Sequence, residues 1–355
     1  MKTIKKLIST NSFHTIKDSI VSENYLFFDI ETTGLSSKKH QIYCIGSACY
    51  FKKKMAVEIQ QLLGESLSDE RELIEIFIDL IRSDTILVSY NGSTFDIRFI
   101  LERAKFYNLS VESLKKCQHI DLYKTARHLN PIFQLDSLKQ ISLERFFNIY
   151  REDRLSGKEL ISIYFTYIKT KKETYESCLL LHNFEDISGL LSLYAIIHYD
   201  SLLRITDDPF LYQIVDNAYL EIQITHDIIL PKPISREYSY GTISFDNSSL
   251  TIIVPIYFGK INHYFPDIKN YYYLPEEDMV IHKSIGTYVE SSKRQPASRE
   301  NCFVSKESYY LKLPVKRKHP IFQLSYIDKQ GIYEIDSEDI QQFRTDFIHC
   351  LFSFK

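Results

Sequence analysis

Two carboxylates, Asp29 and Glu31, stand one residue apart in the stretch "FFDIETTGL", at the end of an apolar run. On a strand, residues i and i+2 point to the same side. Two like charges so placed are unfavourable unless a cation neutralises them. Hard oxygen ligands at a strand end therefore point to a divalent ion, Mg2+ or Mn2+. The alternative is a strand that simply ends there, with both acids solvated. A second stretch, "VSYNGSTFDIRFI", sets a buried strand, a polar turn containing Gly92, and Asp96 at a helix start. As a helix-start charge alone, Asp96 would contribute about 0.3–1 kcal/mol. A third stretch, "LLLHNFEDISGLL", puts Asp186 inside an apolar helix with His182 one turn before it on the same face. Taken singly, Asp186 also reads as a solvent-facing acid, and His182 as a packed or capping histidine. Taken in order, the four acids and the histidine each border an apolar element, and together they argue for one site.

The elements that must position these residues form an α/β pattern over residues 25–199. "YLFFDI", "QIYCIGSACYF", "MAVEIQQLL" and "TILVSY" read as strands from their β-branched and aromatic content. "SDERELIEIFIDLIRS" and "FDIRFILERAKFYN" are amphipathic helices. "HIDLYKTARHL", "QLDSLKQISLERFF" and "KELISIYFTYIK" read as helical, and residues 173–199 as one long helix. This order predicts a mixed sheet flanked by helices. After residue 204 the texture changes to alternating strands punctuated by Pro, Gly and Asn, closed by an amphipathic helix over residues 337–354. The expected organisation is an N-terminal extension over residues 1–22, an α/β domain over 23–203, and a β-rich α+β domain over 204–355.

The chain of 355 residues is long enough for two cores, and its net charge of -3 argues against a uniformly basic coat. A local basic groove is compatible with it. The six cysteines show no CxxC pair, which fits reduced thiols in a cytoplasmic protein. "MKTIKKLISTNS" lacks the apolar segment of a signal peptide, and no apolar run approaches the ~20 residues that span a bilayer.

"DIETTGL", "YNGSTFDIRFI" and "HNFEDI" resemble the three motifs of the DEDD (DnaQ-like) 3′→5′ exonuclease superfamily, whose members have a ribonuclease-H-like fold. The similarity is nearer to the YprB-like ribonuclease-H-like branch, whose intervening pattern resembles "HIDLYKTARHL", "LDSLKQISLERFF" and "REDRLSGKELISIYFTYI". The resemblance implies phosphodiester hydrolysis with two ions, Mg2+ or Mn2+, typically ~3.5–4 Å apart. On that pattern Asp29 bridges both ions, Glu31 and Asp186 complete one site, and Asp96 holds the second. His182 orients or deprotonates water, for which an imidazole pKa near ~6.5 is suited. Thr32, Thr33 and Leu35 line a terminal-nucleotide pocket, with Asn91, Gly92 and Phe95 as the opposite wall; turn chemistry and core packing account for the same six residues. One departure stands out. Superfamily members with a catalytic His usually place it five residues before the last Asp, and those with a Tyr four; here His182 is four before Asp186.

The expected activity is a metal-dependent 3′→5′ exonuclease acting on the 3′ end of single-stranded DNA or RNA, with no membrane partner. Two alternatives remain open at this level. One is a non-catalytic nucleic-acid-binding module. The other is a nuclease subunit that docks a protein partner through its C-terminal half. Asp121 reads as a helix N-cap or a fifth acid, with the cap favoured. Arg151, Asp153 and Arg154 in "REDRLSG" read as a phosphate contact or a solvated loop. The tyrosines of "FPDIKNYYYL" read as core or as base-stacking groups, and the basic runs "SSKRQPASR" and "PVKRKHP" as solvated surface or phosphate contacts.

Overall fold

The computed structural model describes residues 1–10, 23–204, 210–312, 322–327, 332–335, 340 and 344–348. The chain divides into two compact units, residues 1–202 with 228–232, and residues 203–227 with 233–355.

The first unit is built on a six-stranded mixed sheet. Its strands are β1 (Lys2–Ser9), β2 (Tyr25–Thr32), β3 (Ile42–Phe51), β4 (Ala56–Leu63), β5 (Ile86–Ser89) and β6 (Gln118–Asp121), in the order β1-β4-β3-β2-β5-β6. The meander β2-β3-β4 is antiparallel, whereas β5 and β6 run parallel to β2. Both edge strands differ from the sequence expectation. β1, in the segment read as an extension, pairs with β4, and its lysines suit an exposed edge. β6 takes residues 118–121 out of a segment read as helical. It is four residues long, and Asp121 closes it by accepting the Tyr123 amide at 3.1 Å, which starts the next helix.

The helices are α1 (Glu70–Asp79), α2 (Asp96–Phe106), α3 (Glu112–Lys116), α4 (Leu122–Phe133), α5 (Gln140–Phe146), α6 (Gly157–Thr170) and α7 (Glu173–Leu193). The long helix expected over residues 173–199 breaks at a 3₁₀ turn, Tyr194–Ile196, and resumes as α8 (Ile197–Arg204).

The alternation of β2 decides what each face carries. Leu26, Phe28 and Ile30 join Leu73, Phe77, Phe99 and Ile100 in one buried cluster beneath α1 and α2. Phe27 points to the other face, against the Tyr194 ring at 5.4 Å. Asp29 and Glu31 share that second face by the period of two. α7 lies close on this face because Gly46, paired with Asp29 across β2 and β3, has no side chain. A Cβ there would stand 2.5 Å from the Asn183 Oδ1 and 2.7 Å from Ile187.

The second unit is β-rich. A five-stranded antiparallel sheet joins β7 (Leu211–Val215), β8 (Tyr219–Thr225), β9 (Ile234–Tyr238), β10 (Gly241–Phe245) and β11 (Ser249–Pro255) in the order β7-β8-β11-β10-β9. Alternate residues Leu220, Ile222 and Ile224 are buried beside Leu250, Ile252 and Val254, as the period-two pattern predicts. Two three-stranded sheets follow, β12 (Tyr257–Tyr264) with β16 (Phe303–Lys312) and β17 (Ile332–Glu334), and β13 (Tyr271–Leu274) between β14 (Met279–His282) and β15 (Gln295–Pro296). Of the expected terminal helix, residues 340 and 344–348 are helical and the remainder lies outside the described residues. Tyr271 stacks on Phe265 at 4.5 Å and Arg294 lies over Tyr272 at 4.7 Å, so these groups of "FPDIKNYYYL" and "SSKRQPASR" are used in packing. The run "PVKRKHP" lies within residues 313–320, outside the described residues. Among the described residues no helix is long and apolar enough to cross a membrane.

Candidate active site

Three elements deliver the acids to the C-terminal end of β2. Asp29 and Glu31 leave the strand on the α7 face. Just beyond Glu31 the β2–β3 register slips by one residue, so that Tyr43 is extra on β3. Bulges re-aim side chains, and the Tyr43 hydroxyl lies where it favours the charged form of the Glu31 carboxylate. Asp96, 4% exposed, opens α2. β5 pairs with β2 only as far as Phe27, so the Ile30 amide is free of that ladder and donates to Asp96 Oδ1 at 3.3 Å. α7 supplies His182 and Asp186 one turn apart. His182 Nε2 lies 3.0 Å from Asp186 Oδ2 and 3.4 Å from Glu31 Oε1. Glu31, His182 and Asp186 each present a ligand atom, all within 4.8 Å of one another. Asp29 feels the charges of Asp186, Asp96 and Glu31 together. The structure thus gathers all five predicted residues at one strand end.

It also gives Arg151 and Asp153 a place that their sequence did not suggest, and adds Glu144 and Gln140. Arg151 is gripped by both oxygens of the fully buried Glu144 and turns its remaining nitrogen to Asp186 Oδ1, 2.5 Å away. Asp153 Oδ2 sits 2.6 Å from His182 Nδ1. The loop bearing Asp153 is held by Glu185, which accepts the Glu152 and Asp153 amides at 2.8 and 2.9 Å. Gln140 Nε2 donates to the Asp186 carbonyl at 2.8 Å. "REDRLSG" is therefore more than a solvated loop: Arg151 and Asp153 bind Asp186 and His182. The clue in the sequence was an Arg and an Asp in one short segment with nothing local to pair them; the burial of Glu144 is set by the fold.

The charges are unbalanced without a cation. Asp29, Glu31, Asp96, Glu144, Asp153 and Asp186 face one guanidinium, that of Arg151, and one imidazole, that of His182. Burial pushes Glu31 up to about 8, against the opposing charge of His182. Burial likewise pushes Asp96 up to about 7, and Asp29 well above the carboxylate range with help from Asp186, Asp96 and Glu31. Burial also works against charge on Asp186, but His182 and Arg151 outweigh it and hold that carboxyl below its ordinary value. Burial opposes the charged imidazole too, yet Asp186, Glu31 and Asp153 raise His182 to about 10. Crowded oxygen donors that resist ionisation are what a hard divalent cation would relieve. The donor set fits such an ion.

A stability prediction follows from these directions. Raised folded-state values for Asp29, Glu31 and Asp96 mean that protons are held in the fold and lost above about pH 4 only at a cost. His182 acts in the same direction, its stabilisation being complete below about pH 6.5 and lost as pH rises through about 10. Asp186 contributes evenly across this window, since its value is lowered. In EDTA the melting temperature should fall by at least a few degrees as pH rises from about 5 to 8. Mg2+ or Mn2+ should restore more at pH 8 than at pH 5. A flat profile by differential scanning fluorimetry, with no effect of metal, would remove the crowded-carboxylate description.

The six pocket residues divide. Thr32 follows Glu31 on the strand. Gly92 packs against Ser89 with space for no side chain, and a Cβ there would lie 3.3 Å from Asp96 Oδ2. Leu35 is 87% exposed on the turn after β2. Thr33 closes that turn by accepting the Gln41 amide at 3.0 Å. Asn91 takes a left-handed φ of 64° and donates its amide to Asp121 Oδ1 at 2.8 Å. Phe95 packs on Phe99 at 5.6 Å. Asp121 is the cap expected of it, and it also ties down the Asn91–Ser93 turn through the Ser93 amide at 3.1 Å.

A model of the RNase_H superfamily matches residues 26–198. The uncharacterized protein YprB of Bacillus subtilis (strain 168) is 30% identical over 184 residues, which is 51% of this chain and 44% of that protein. The chain thus spans under half the length of that relative. The family B DNA polymerase of the hyperthermophilic archaeon Pyrobaculum calidifontis is similar over 51% of this chain and 26% of its own, at 17% identity and a TM-score of 0.40.

Proposed function

We propose, from the match of an RNase_H superfamily model to residues 26–198, that the protein is a metal-dependent 3′→5′ exonuclease acting on single-stranded DNA or RNA. The observation that carries this reading is the meeting of Glu31, His182 and Asp186 within 4.8 Å, beside Asp29 and Asp96. Asp29, Glu31 and Asp186 would hold one Mg2+ or Mn2+ ion, and Asp29 with Asp96 a second. Such ions supply Lewis-acid stabilisation of the charge that builds on the phosphate and on the leaving 3′ oxygen.

The chain's own groups would do the rest. Asp153 takes the His182 Nδ1 proton in a hydrogen bond, which fixes the tautomer and leaves Nε2 facing the cluster. Glu31 and Asp186 keep the imidazole charged while their carboxylates are otherwise uncompensated. Once those carboxylates are neutralised, Nε2 is free to accept a proton from the attacking water. A spacing of four residues suits this arrangement, because His182 and Asp186 then share one helix face. A recess of about 450 Å³ lined by Tyr90, Asn91, Tyr123, Lys139 and Gln140 adjoins the support of Asp186 and has the aromatic and polar groups to take a terminal nucleotide.

The test is digestion of 12-nucleotide single-stranded DNA and RNA labelled at the 5′ end, with Mg2+, Mn2+ or EDTA. Stepwise shortening from the 3′ end is expected with either metal and none with EDTA. Internal cuts in an oligomer blocked at its 3′ end would instead identify an endonuclease. The Arg151 contact to Asp186 favours one other reading, a binding module whose acids are partly neutralised by the protein itself. Binding without cleavage under every metal would select it.

Asp153→Asn tests the imidazole's support. Outer-shell partners of this kind contribute about 10–100-fold. The variant should lose that much in kcat with KM little changed, and the ascending limb of the pH–rate profile should shift to lower pH, since Asp153 helps to raise His182. A drop in KM-dependent terms alone would assign Asp153 to substrate binding.

A further inference from the structure

A second recess, of about 400 Å³, opens on the other side of the loop that supports His182, and the cluster itself does not use it. Arg145, Tyr150, Arg151, Asp153 and Arg154 line it. Arg151 and Asp153 are committed inward to Asp186 and His182, so the recess begins one side chain away from the acids. Arg145 and Arg154 are exposed, and among the described residues neither guanidinium makes an ion pair or hydrogen bond. Tyr150 is 83% exposed. Both guanidiniums lack the carboxylate that Arg151 and Arg103 have, though acids are more numerous than cations in this chain. Unpaired guanidiniums beside an open tyrosine match two features of a nucleic-acid strand, its phosphates and its bases. Arginine presents a planar fork suited to phosphate oxygens, and an exposed aromatic ring offers a face to any base.

We propose that the Arg145–Tyr150–Arg154 recess is a binding track for the single-stranded nucleic acid, holding backbone phosphates on the two arginines and one base on Tyr150 while the strand end lies at the acids. This deepens the exonuclease reading and rests on it. The chemistry is common to DNA and RNA, since neither phosphate contact nor stacking requires a 2′-hydroxyl. The two rigidly paired residues, Arg151 and Asp153, set the recess against the cluster, so the track and the reacting centre are built from one loop.

The experiment measures binding of fluorescent oligo-dT and oligo-U 12-mers by anisotropy to the full chain carrying Asp29→Ala, in Mg2+, from about 50 to 200 mM salt. Each phosphate contact contributes a slope of about 0.7 in log affinity against log salt for single strands. Arg145→Ala with Arg154→Ala should therefore lower the slope by about 1.4 and weaken binding at low salt about tenfold or more. Tyr150→Ala should weaken it about five- to a hundredfold with the slope unchanged. Arg145→Lys with Arg154→Lys keeps the charge and should retain the slope, which a merely structural role would not explain. All variants are checked by circular dichroism. Better binding of one 12-mer, with these losses, identifies the natural strand as DNA or RNA. Unchanged slope and affinity in the double alanine variant overturn the track. If the protein with Asp29 intact still shortens oligomers in that case, the exonuclease reading survives it. If neither 12-mer is bound or cut, both fall.

Discussion

Asp29→Ala is expected to lose all measurable metal-dependent hydrolysis of single-stranded oligomers. Asp29 leads from the central strand into a set of carboxylates that includes Glu31, Asp96 and Asp186. As the ligand shared by both proposed ions, its loss should exceed the ~100-fold upper end found for outer-shell partners. The fold should survive. Asp29 is buried among like charges, and its carboxyl is held well above the ordinary range by burial first and then by Asp186, Asp96 and Glu31. Removing it relieves repulsion, so the variant should melt in EDTA at or above the wild-type temperature. The gain should be larger at pH 8 than at pH 5, because the wild-type carboxyl must lose its proton as pH rises. Retained hydrolysis in a preparation free of contaminating nuclease would remove Asp29 from the site. Loss of activity together with loss of the melting transition would mean that the residue is structural.

His182→Ala should slow hydrolysis about 10²–10⁴-fold, the usual contribution of a positioned general base. Its Nε2 faces Asp186 and Glu31, and its Nδ1 is held by Asp153. Metal affinity, read by calorimetry, should change little, because the carboxylates supply the ligands. In the wild type the rate should rise with pH through the imidazole's value in the loaded enzyme, and the variant should lose that limb. Stability gives a second readout. The imidazole is raised to about 10 in the metal-free protein, so its stabilisation is complete below about pH 6.5 and gone above about pH 10. The variant should therefore be most destabilised in EDTA near pH 6, with the difference closing toward pH 10. A rate within about threefold of wild type would mean that the water is activated without this base. The four acids would then stand alone.

The acids were legible because each sits at a place where local periodicity says which way it points. Period two puts Asp29 and Glu31 on one face of β2, opposite Leu26, Phe28 and Ile30. The helical repeat puts His182 and Asp186 together. Asp121 was legible as a cap for the same reason, a short-range bond to Tyr123. The strands of the second unit, such as β8 and β11, were legible from simple alternation. Edge strands were harder. β1 has an irregular pattern because little of it is buried, and β6 is too short to display a period before α4 begins.

By itself, then, the sequence determined the central strands, the order of the acid-bearing elements, the faces that Asp29, Glu31, His182 and Asp186 would share, and the resemblance those motifs carry. Only the tertiary structure decided what surrounds them. The Arg151–Asp186 contact joins residues 35 apart, and Asp153–His182 joins residues 29 apart. Glu144 grips Arg151 from a helix whose burial no local pattern announces. Backbone dihedrals repeat locally, so a side chain's direction can be read from its near neighbours. The partner it meets depends on where the chain returns, and that is set by packing such as the close approach of α7 over Gly46.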